Sequence, residues 1–349
     1  MKSILKVKVI LLILVSIAIG FLISQSKLLH KVKGFFKKEE ISKTEIFENN
    51  PAAYIHIRTP EDILSKRDSL INYLWKSHGF PHDKMPAEVE QNISDSHFSN
   101  MENLKQIDKL TITMENNVQS IIYLFQPEKS INKLMIYHHG HVTGFDRGKE
   151  VIRFFLKNDF SVLACSMPLC GMNNKPVVQT DFGTIKLMKH PDFQFLDTKD
   201  FSSIHYFIEP VASALNYLDK NYNYESYSMI GISGGGWTTV FYSAIDDRIH
   251  NSYSVAGSAP IFLRTGIRGD FEQLLPDLYR IADYLDLYIL DAYGANRKFV
   301  QIFNKYDPCC FSGENYKMYE MDVQNSVKKL GKGSFEMWFD ETQRHHDIS

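Results

Sequence analysis

The residues that could do chemistry begin with Ser233. It stands in Gly231-Ile232-Ser233-Gly234-Gly235; a short apolar run, Ser228 to Ile230, leads in and a helix-compatible segment follows. A serine held on such a strand-to-helix turn must take a strained backbone conformation, and glycines two residues to either side let the turn close without clashes. The strain presents the hydroxyl at the end of a strand, over the N-terminus of the next helix. There the helix dipole and free amides favour the negative charge that develops in acyl transfer. The pattern is Gly-x-Ser-x-Gly in a strand–turn–helix setting. A glycine-rich turn without chemistry would read the same way, so the rest of the chain has to decide.

A serine hydroxyl is a poor nucleophile unless a base takes its proton and a third group orients that base. Downstream, the run from Lys298 to Phe303 leads into Asp307-Pro308, which puts an acid just past a strand that the proline ends. Asp340, at the end of the last strand, is the alternative acid. His345 and His346 follow it and are the candidate bases. The amide of Gly234, directly after the serine, is one expected donor to the oxyanion. A second is expected after an earlier strand, in Tyr137-His138-His139-Gly140-His141, where the glycine lets the chain turn sharply. The rival use of His138, His139 and His141 as a metal site is disfavoured. Strand alternation sends adjacent histidines to opposite faces, and no carboxylate lies at ligand spacing.

The elements that must position these groups follow from the pattern. Asp108–Met114 and Val118–Phe125, joined by Glu115-Asn116-Asn117, predict an antiparallel hairpin. Strands are expected at Lys133–His138, Phe160–Ser166, Ser228–Ile232, Ser252–Ala256, Lys298–Phe303 and Ser334–Phe339. Helices are expected at Gly148–Leu156, Glu209–Leu218, Trp237–Ile245 and Tyr316–Leu330, and an earlier one starts at Thr59-Pro60 and runs to Trp75. A hairpin followed by alternating strands and helices implies an α/β fold, a mostly parallel sheet with helices on both faces. Residues 171–205 and 258–296 break the alternation and are expected to form a lid over the strand ends. Asp270, Asp277 and Asp283 then read as the lid's solvated face, and Trp237 as core.

Over residues 105–349 the chain resembles the α/β-hydrolase family. The hairpin, the Ser233 turn, the acid loop and the histidine loop come in that fold's order. The ending His346-Asp347-Ile348-Ser349, the loop Tyr306-Asp307-Pro308-Cys309-Cys310-Phe311 and the segment His138-His139-Gly140-His141 are similar to a subgroup of uncharacterised bacterial serine hydrolases. The resemblance implies a triad of Ser233, Asp307 and His346, with His345 as the alternative base. It places the second oxyanion donor at His141, beside Gly234. It implies a serine esterase that requires no cofactor and no metal. An acyltransferase using the same triad and a non-catalytic binding protein on the same scaffold are the alternatives.

The remaining sequence sets the context. The 349 residues carry a net charge of −2, which gives no electrostatic reason to expect nucleic acid as a partner. Residues 1–26 combine Lys2, Lys6 and Lys8 with an uncharged apolar run from Val9 to Ser26, long enough at ~1.5 Å per residue to cross a hydrocarbon core. This reads as a single-pass membrane anchor with the hydrolase domain extracytoplasmic, a cleaved signal peptide and secretion being the alternative. Residues 27–50 read as a basic stem and 51–104 as an N-terminal helical extension. The expected substrate is a small-molecule, lipid or sugar ester. Four cysteines are too few for a disulfide scaffold, and adjacent Cys309 and Cys310 are expected to be buried small apolar residues.

Overall fold

The computed structural model describes residues 50–264 and 269–349. The anchor and stem expected over 1–50 lie almost wholly outside them. Among the described residues, no helix is long and apolar enough to cross a membrane.

The main sheet contains nine strands. They are β1 (Glu88–Glu90), β2 (Leu104–Thr113), β3 (Gln119–Pro127), β4 (Lys133–His138), β5 (Ser161–Cys165), β8 (Ser226–Ile232), β9 (Ile249–Val255), β10 (Lys298–Asn304) and β11 (Ser334–Asp340). A separate small hairpin holds β6 (Val177–Thr180) and β7 (Gly183–Lys186). The spatial order is β1-β2-β3-β5-β4-β8-β9-β10-β11. Pairings from β1 through β3 to β5 are antiparallel, and all those from β5 to β11 are parallel. From β4 the chain goes first to β5 on one side and later to β8 on the other. In open parallel sheets that divergence leaves a crevice at the carboxyl ends of the two strands, where ligands bind.

The helices are α1 (Pro60–Trp75), α2 (Lys149–Lys157), α3 (Glu209–Asn221), α4 (Gly234–Ile245), α5 (Pro276–Ile281), α6 (Tyr284–Ala292) and α7 (Glu320–Leu330). Strand alternation sorts the core into two. Leu134 and Ile136 of β4 and Met229 of β8 join α3, α4, α6 and α7 in the larger cluster, whereas Met135, Tyr137, Ile230 and Ile232 join Ile152 and Leu156 of α2 on the other face. α1 belongs to the larger cluster through Ile63, Leu70, Leu74 and Trp75, so the N-terminal extension shares the hydrolase-like core. Its start is fixed by a Thr59–Asp62 capping box with Pro60 at the first turn.

One part of the second irregular stretch, Tyr284–Ala292, is core and not lid. Every residue of α6 is buried, Tyr288 stacks on Phe335 of β11, and Asp283 caps the helix through the amides of Leu285 and Asp286. Tyr284–Ala292 is apolar nearly all round, the mark of a helix enclosed on every side. Of the three expected lid acids, Asp270 and Asp277 are exposed, Asp270 Oδ2 lying 3.5 Å from His141 Nδ1 and Asp277 pairing with Arg280, whereas Asp283 is taken up by the helix cap. On the thinly covered face a cavity of about 610 Å³ is lined by Met135, Ile230, Tyr253, Ile302, Trp338 and Asp340 among others, and neither Ser233 nor His346 lines it.

Candidate active site

Ser233 follows β8 directly and caps α4, with φ 58° and ψ −126°. A non-glycine residue there carries roughly 1–3 kcal/mol of backbone strain, which the surrounding structure must hold. The glycines show how. A Cβ on Gly231 would lie 2.1 Å from the Gly235 carbonyl oxygen, and one on Gly235 would lie 2.0 Å from that of His138. The turn and the loop after β4 are therefore packed backbone against backbone. Gly140 completes this contact, since a Cβ there would approach Ser233 Cβ to 2.7 Å and the Ile232 carbonyl oxygen to 2.8 Å. The Ser233 amide donates to Val255 O at 2.9 Å, tying the turn to β9.

At the ends of β10 and β11 the acid and base loops meet. His346 Nδ1 lies 2.6 Å from Asp307 Oδ2, the carboxylate being fully buried and the ring partly exposed. The other carboxylate oxygen, Oδ1, accepts the amides of Cys309 at 2.7 Å and Cys310 at 3.2 Å. A buried carboxylate left without such donors would cost several kcal/mol, and three hydrogen bonds satisfy that of Asp307. The Asn304 side chain holds the histidine loop by donating to Asp347 O at 2.8 Å. A carboxylate only accepts, so Nδ1 carries the ring proton and Nε2 the lone pair. Nε2 is buried and has no hydrogen-bond partner, and among the described residues no hydrogen bond joins it to Ser233. An unsatisfied buried nitrogen costs about 1–3 kcal/mol.

The alternative residues lie elsewhere. Asp340 Oδ1 accepts from the Thr342 amide and hydroxyl at 2.6 Å each and from the Gln343 amide at 3.2 Å, so it shapes the turn into the histidine loop. Burial works against its charge, but those bonds and one from Ser349 bring its pKa down to about 2. His345 is exposed.

After β4 the three histidines separate. His138 is buried, its Nδ1 on His139 O at 3.0 Å, and desolvation pushes its pKa down to about 4. The His139 ring bridges the Tyr137 hydroxyl at 2.6 Å and the Thr143 hydroxyl at 2.9 Å. His141 turns away from both, its ring against Gly234, where a Cβ would lie 2.3 Å from His141 Cε1. The residue after it, Val142, takes φ 77° in the open, a costly conformation for a β-branched side chain. Among the described residues, the amides of Gly234 and His141 donate to no protein acceptor.

Sequence reasoning missed two residues beside this site. His141 Nε2 lies 2.9 Å from Glu272 Oε1, and His190 Nδ1 lies 3.5 Å from Glu272 Oε2. Glu272 is completely buried and His190 almost so. Burial opposes charge on both, yet the two imidazoles hold the Glu272 carboxyl down at about 2, and the neighbouring Cys170 and Glu272 lift His190 to about 10. A lone histidine and a lone glutamate in two irregular stretches give no local signal. Cys309 and Cys310 also differ from expectation: they are disulfide-bonded to each other at the surface. Trp237 is core, donating to the Tyr279 hydroxyl at 2.8 Å.

No protein-family model and no curated protein sequence matches the chain. Solved structures do. Acetyl xylan esterase 1 from Thermoanaerobacterium sp. JW/SL YS485 aligns with a TM-score of 0.55 at 13% identity, over 86% of this chain and 93% of that one. The chain has the α/β-hydrolase fold. Pyrococcus furiosus esterase Pf2001 (TM-score 0.47, 17% identity, 74% of this chain and 90% of that one) is also similar to this hydrolase fold. So is an S-formylglutathione hydrolase from Agrobacterium tumefaciens (TM-score 0.47, 16% identity, 74% and 91%).

Proposed function

We propose that this chain is a serine hydrolase that cleaves carboxylic esters through an acyl-enzyme. The observation that carries the reading is the His346 ring, fixed by Asp307 at 2.6 Å with its other nitrogen buried and unpartnered. It lies at the sheet edge that also bears the strained Ser233. In this reading Ser233 Oγ attacks the ester carbonyl carbon as its proton passes to His346 Nε2. The carbonyl π pair moves onto oxygen, where the amides of Gly234 and His141 and the positive end of α4 meet the charge. Collapse breaks the bond to the alkoxide, which takes the proton from His346. Water then gives a proton to the same nitrogen and attacks the acyl carbon; collapse breaks the bond to Ser233 Oγ, which takes that proton from His346 as the acid leaves. Asp307 remains ionised throughout and stabilises the imidazolium.

Esters are favoured over amides because an alkoxide needs less help to leave than an amine. The esterase identity of the structural neighbour from Thermoanaerobacterium agrees with this choice. The test is hydrolysis of p-nitrophenyl acetate without an added acceptor. The wild type is expected to turn over, and Ser233→Ala to fall by about 10³-fold or more. Release only in the presence of an acceptor alcohol would make the chain an acyltransferase instead. No release under either condition by folded protein would remove the hydrolase reading.

A further inference from the structure

We infer that His141, His190 and Glu272 form a binding site for a divalent transition-metal ion of zinc type, adjoining Ser233. One donor atom from each residue can be chosen so that all three lie within 4.8 Å of one another. Ligands about 2.1 Å from a tetrahedral zinc ion stand roughly 3.4 Å apart. The observed 2.9 Å and 3.5 Å separations from the two Glu272 oxygens bracket that value, so the donors already stand near ligand spacing.

The hydrogen bonding behind the donors points the same way. His190 Nε2 lies 2.8 Å from Pro168 O, and a carbonyl only accepts, so Nε2 carries a proton. That leaves Nδ1 as the nitrogen facing Glu272. A metal-ligating histidine is oriented in just this manner, its far N–H given to a backbone carbonyl. Glu272 Oε2 is buried without a hydrogen-bond partner. Carboxylate oxygen and ring nitrogen thus face each other 3.5 Å apart, a spacing that a divalent cation spans when it displaces the Nδ1 proton.

Two comparable carboxylate-bearing clusters already contain their cation. In His56–Asp283–Asp286, Lys66 Nζ sits 3.0 Å from Asp286. In Glu115–His205–Glu209, Lys84 Nζ sits 2.9 Å from Glu115 and 2.8 Å from Glu209. Among the described residues, Glu272 pairs with imidazoles and with no lysine or arginine. Two imidazoles and one carboxylate suit zinc, with a fourth position left to water.

The three ligands come from three connections: the loop after β4, the stretch between β7 and α3, and the stretch between β9 and α5. An ion would clamp them together, and with them the His141 backbone amide. The binding claim stands independently of the proposed hydrolase chemistry; only an effect on turnover rests on that reading.

The experiment is equilibrium zinc binding to the chelator-stripped full chain, followed by metal competition and by thermal unfolding. Ser233→Ala is run in parallel so that loss of chemistry and loss of metal are read apart. The expected result is one equivalent of Zn²⁺ bound at micromolar or tighter Kd in both proteins, with a higher unfolding midpoint when zinc is in excess. Glu272→Gln and His190→Gln, which keep side-chain volume, are each expected to weaken binding by about 100-fold or more. Absence of saturable binding by the folded wild type would overturn the site, as would binding that both variants retain. The cluster would then be bridged by protons alone.

Discussion

Two carboxylate–histidine clusters lie in the connections that follow the parallel strands, and they are built in opposite ways. Asp307 gives one oxygen to His346 and the other to two backbone amides, so its charge is already balanced and the ring keeps a free nitrogen. Glu272 turns both oxygens toward imidazoles, and one of these, His190, is anchored from behind by Pro168 O. The first arrangement orients a base toward a reaction. The second surrounds a small volume with electron pairs and suits a cation. One histidine per carboxylate and two per carboxylate are therefore different devices, although the residue types are the same.

The sharpest way to break this comparison is to exchange the losses. His346→Ala is expected to lower kcat/KM for p-nitrophenyl acetate by about 10⁴-fold or more and to leave zinc affinity unchanged. Glu272→Gln should do the reverse for metal and still permit acylation of Ser233. Stopped activity assays beside metal titrations on the same preparations check both. Asp307→Asn is expected to cost about 10⁴-fold, because an amide can donate to Nδ1 and hold the wrong tautomer.

Next in size is Gly140→Ala. Its methyl group would press on Ser233 Cβ and the Ile232 carbonyl, so the loop after β4 must retreat from the turn. A loss of about 10²–10³-fold in kcat with little change in KM is expected, since the donors act on the transition state. Steady-state kinetics against the wild type reads the split.

A smaller effect concerns His138, which has no carboxylate at all. Burial lowers its pKa from 6.5 to about 4; the hydrogen bond to the His139 carbonyl opposes this, and the His139 and His141 rings add to it. The unfolded chain then takes up a proton below about pH 6.5 that the folded chain refuses. Stability from this group is fully present above pH 6.5 and is lost as pH falls toward 4, on the order of 3 kcal/mol in all. His138→Asn, which keeps a donor for His139 O, should flatten the fall in unfolding midpoint over that window. The smallest effect is expected for Asp340→Asn, less than about tenfold in kcat/KM, because Asp340 holds a turn and not the ring.

Where the sequence could be read, a local physical constraint had written it. Gly231 and Gly235 must be glycine because backbone passes where a Cβ would stand, so the turn advertises itself. Strands β4, β8 and β10 are short apolar runs enclosed on both faces, and their bounds are close to those expected. Asp307 and His346 are legible through their order after strands. His190 and Glu272 are not, since their partners lie 82 and more residues apart in sequence and neither sits in a periodic element. Helix α6 carried a readable sign, apolar residues on all sides, that a lid would not need. The strands β6 and β7 are mostly exposed at the surface, and their weak alternation hid them.

The most direct measurement is covalent labelling with a fluorophosphonate probe, read by intact mass and peptide mapping on folded wild type, Ser233→Ala and His346→Ala. The account predicts one adduct on Ser233 in the wild type, none in Ser233→Ala, and labelling slowed by about 10³-fold or more in His346→Ala. A folded wild type that takes no label, or one that takes it on another residue, would contradict the account.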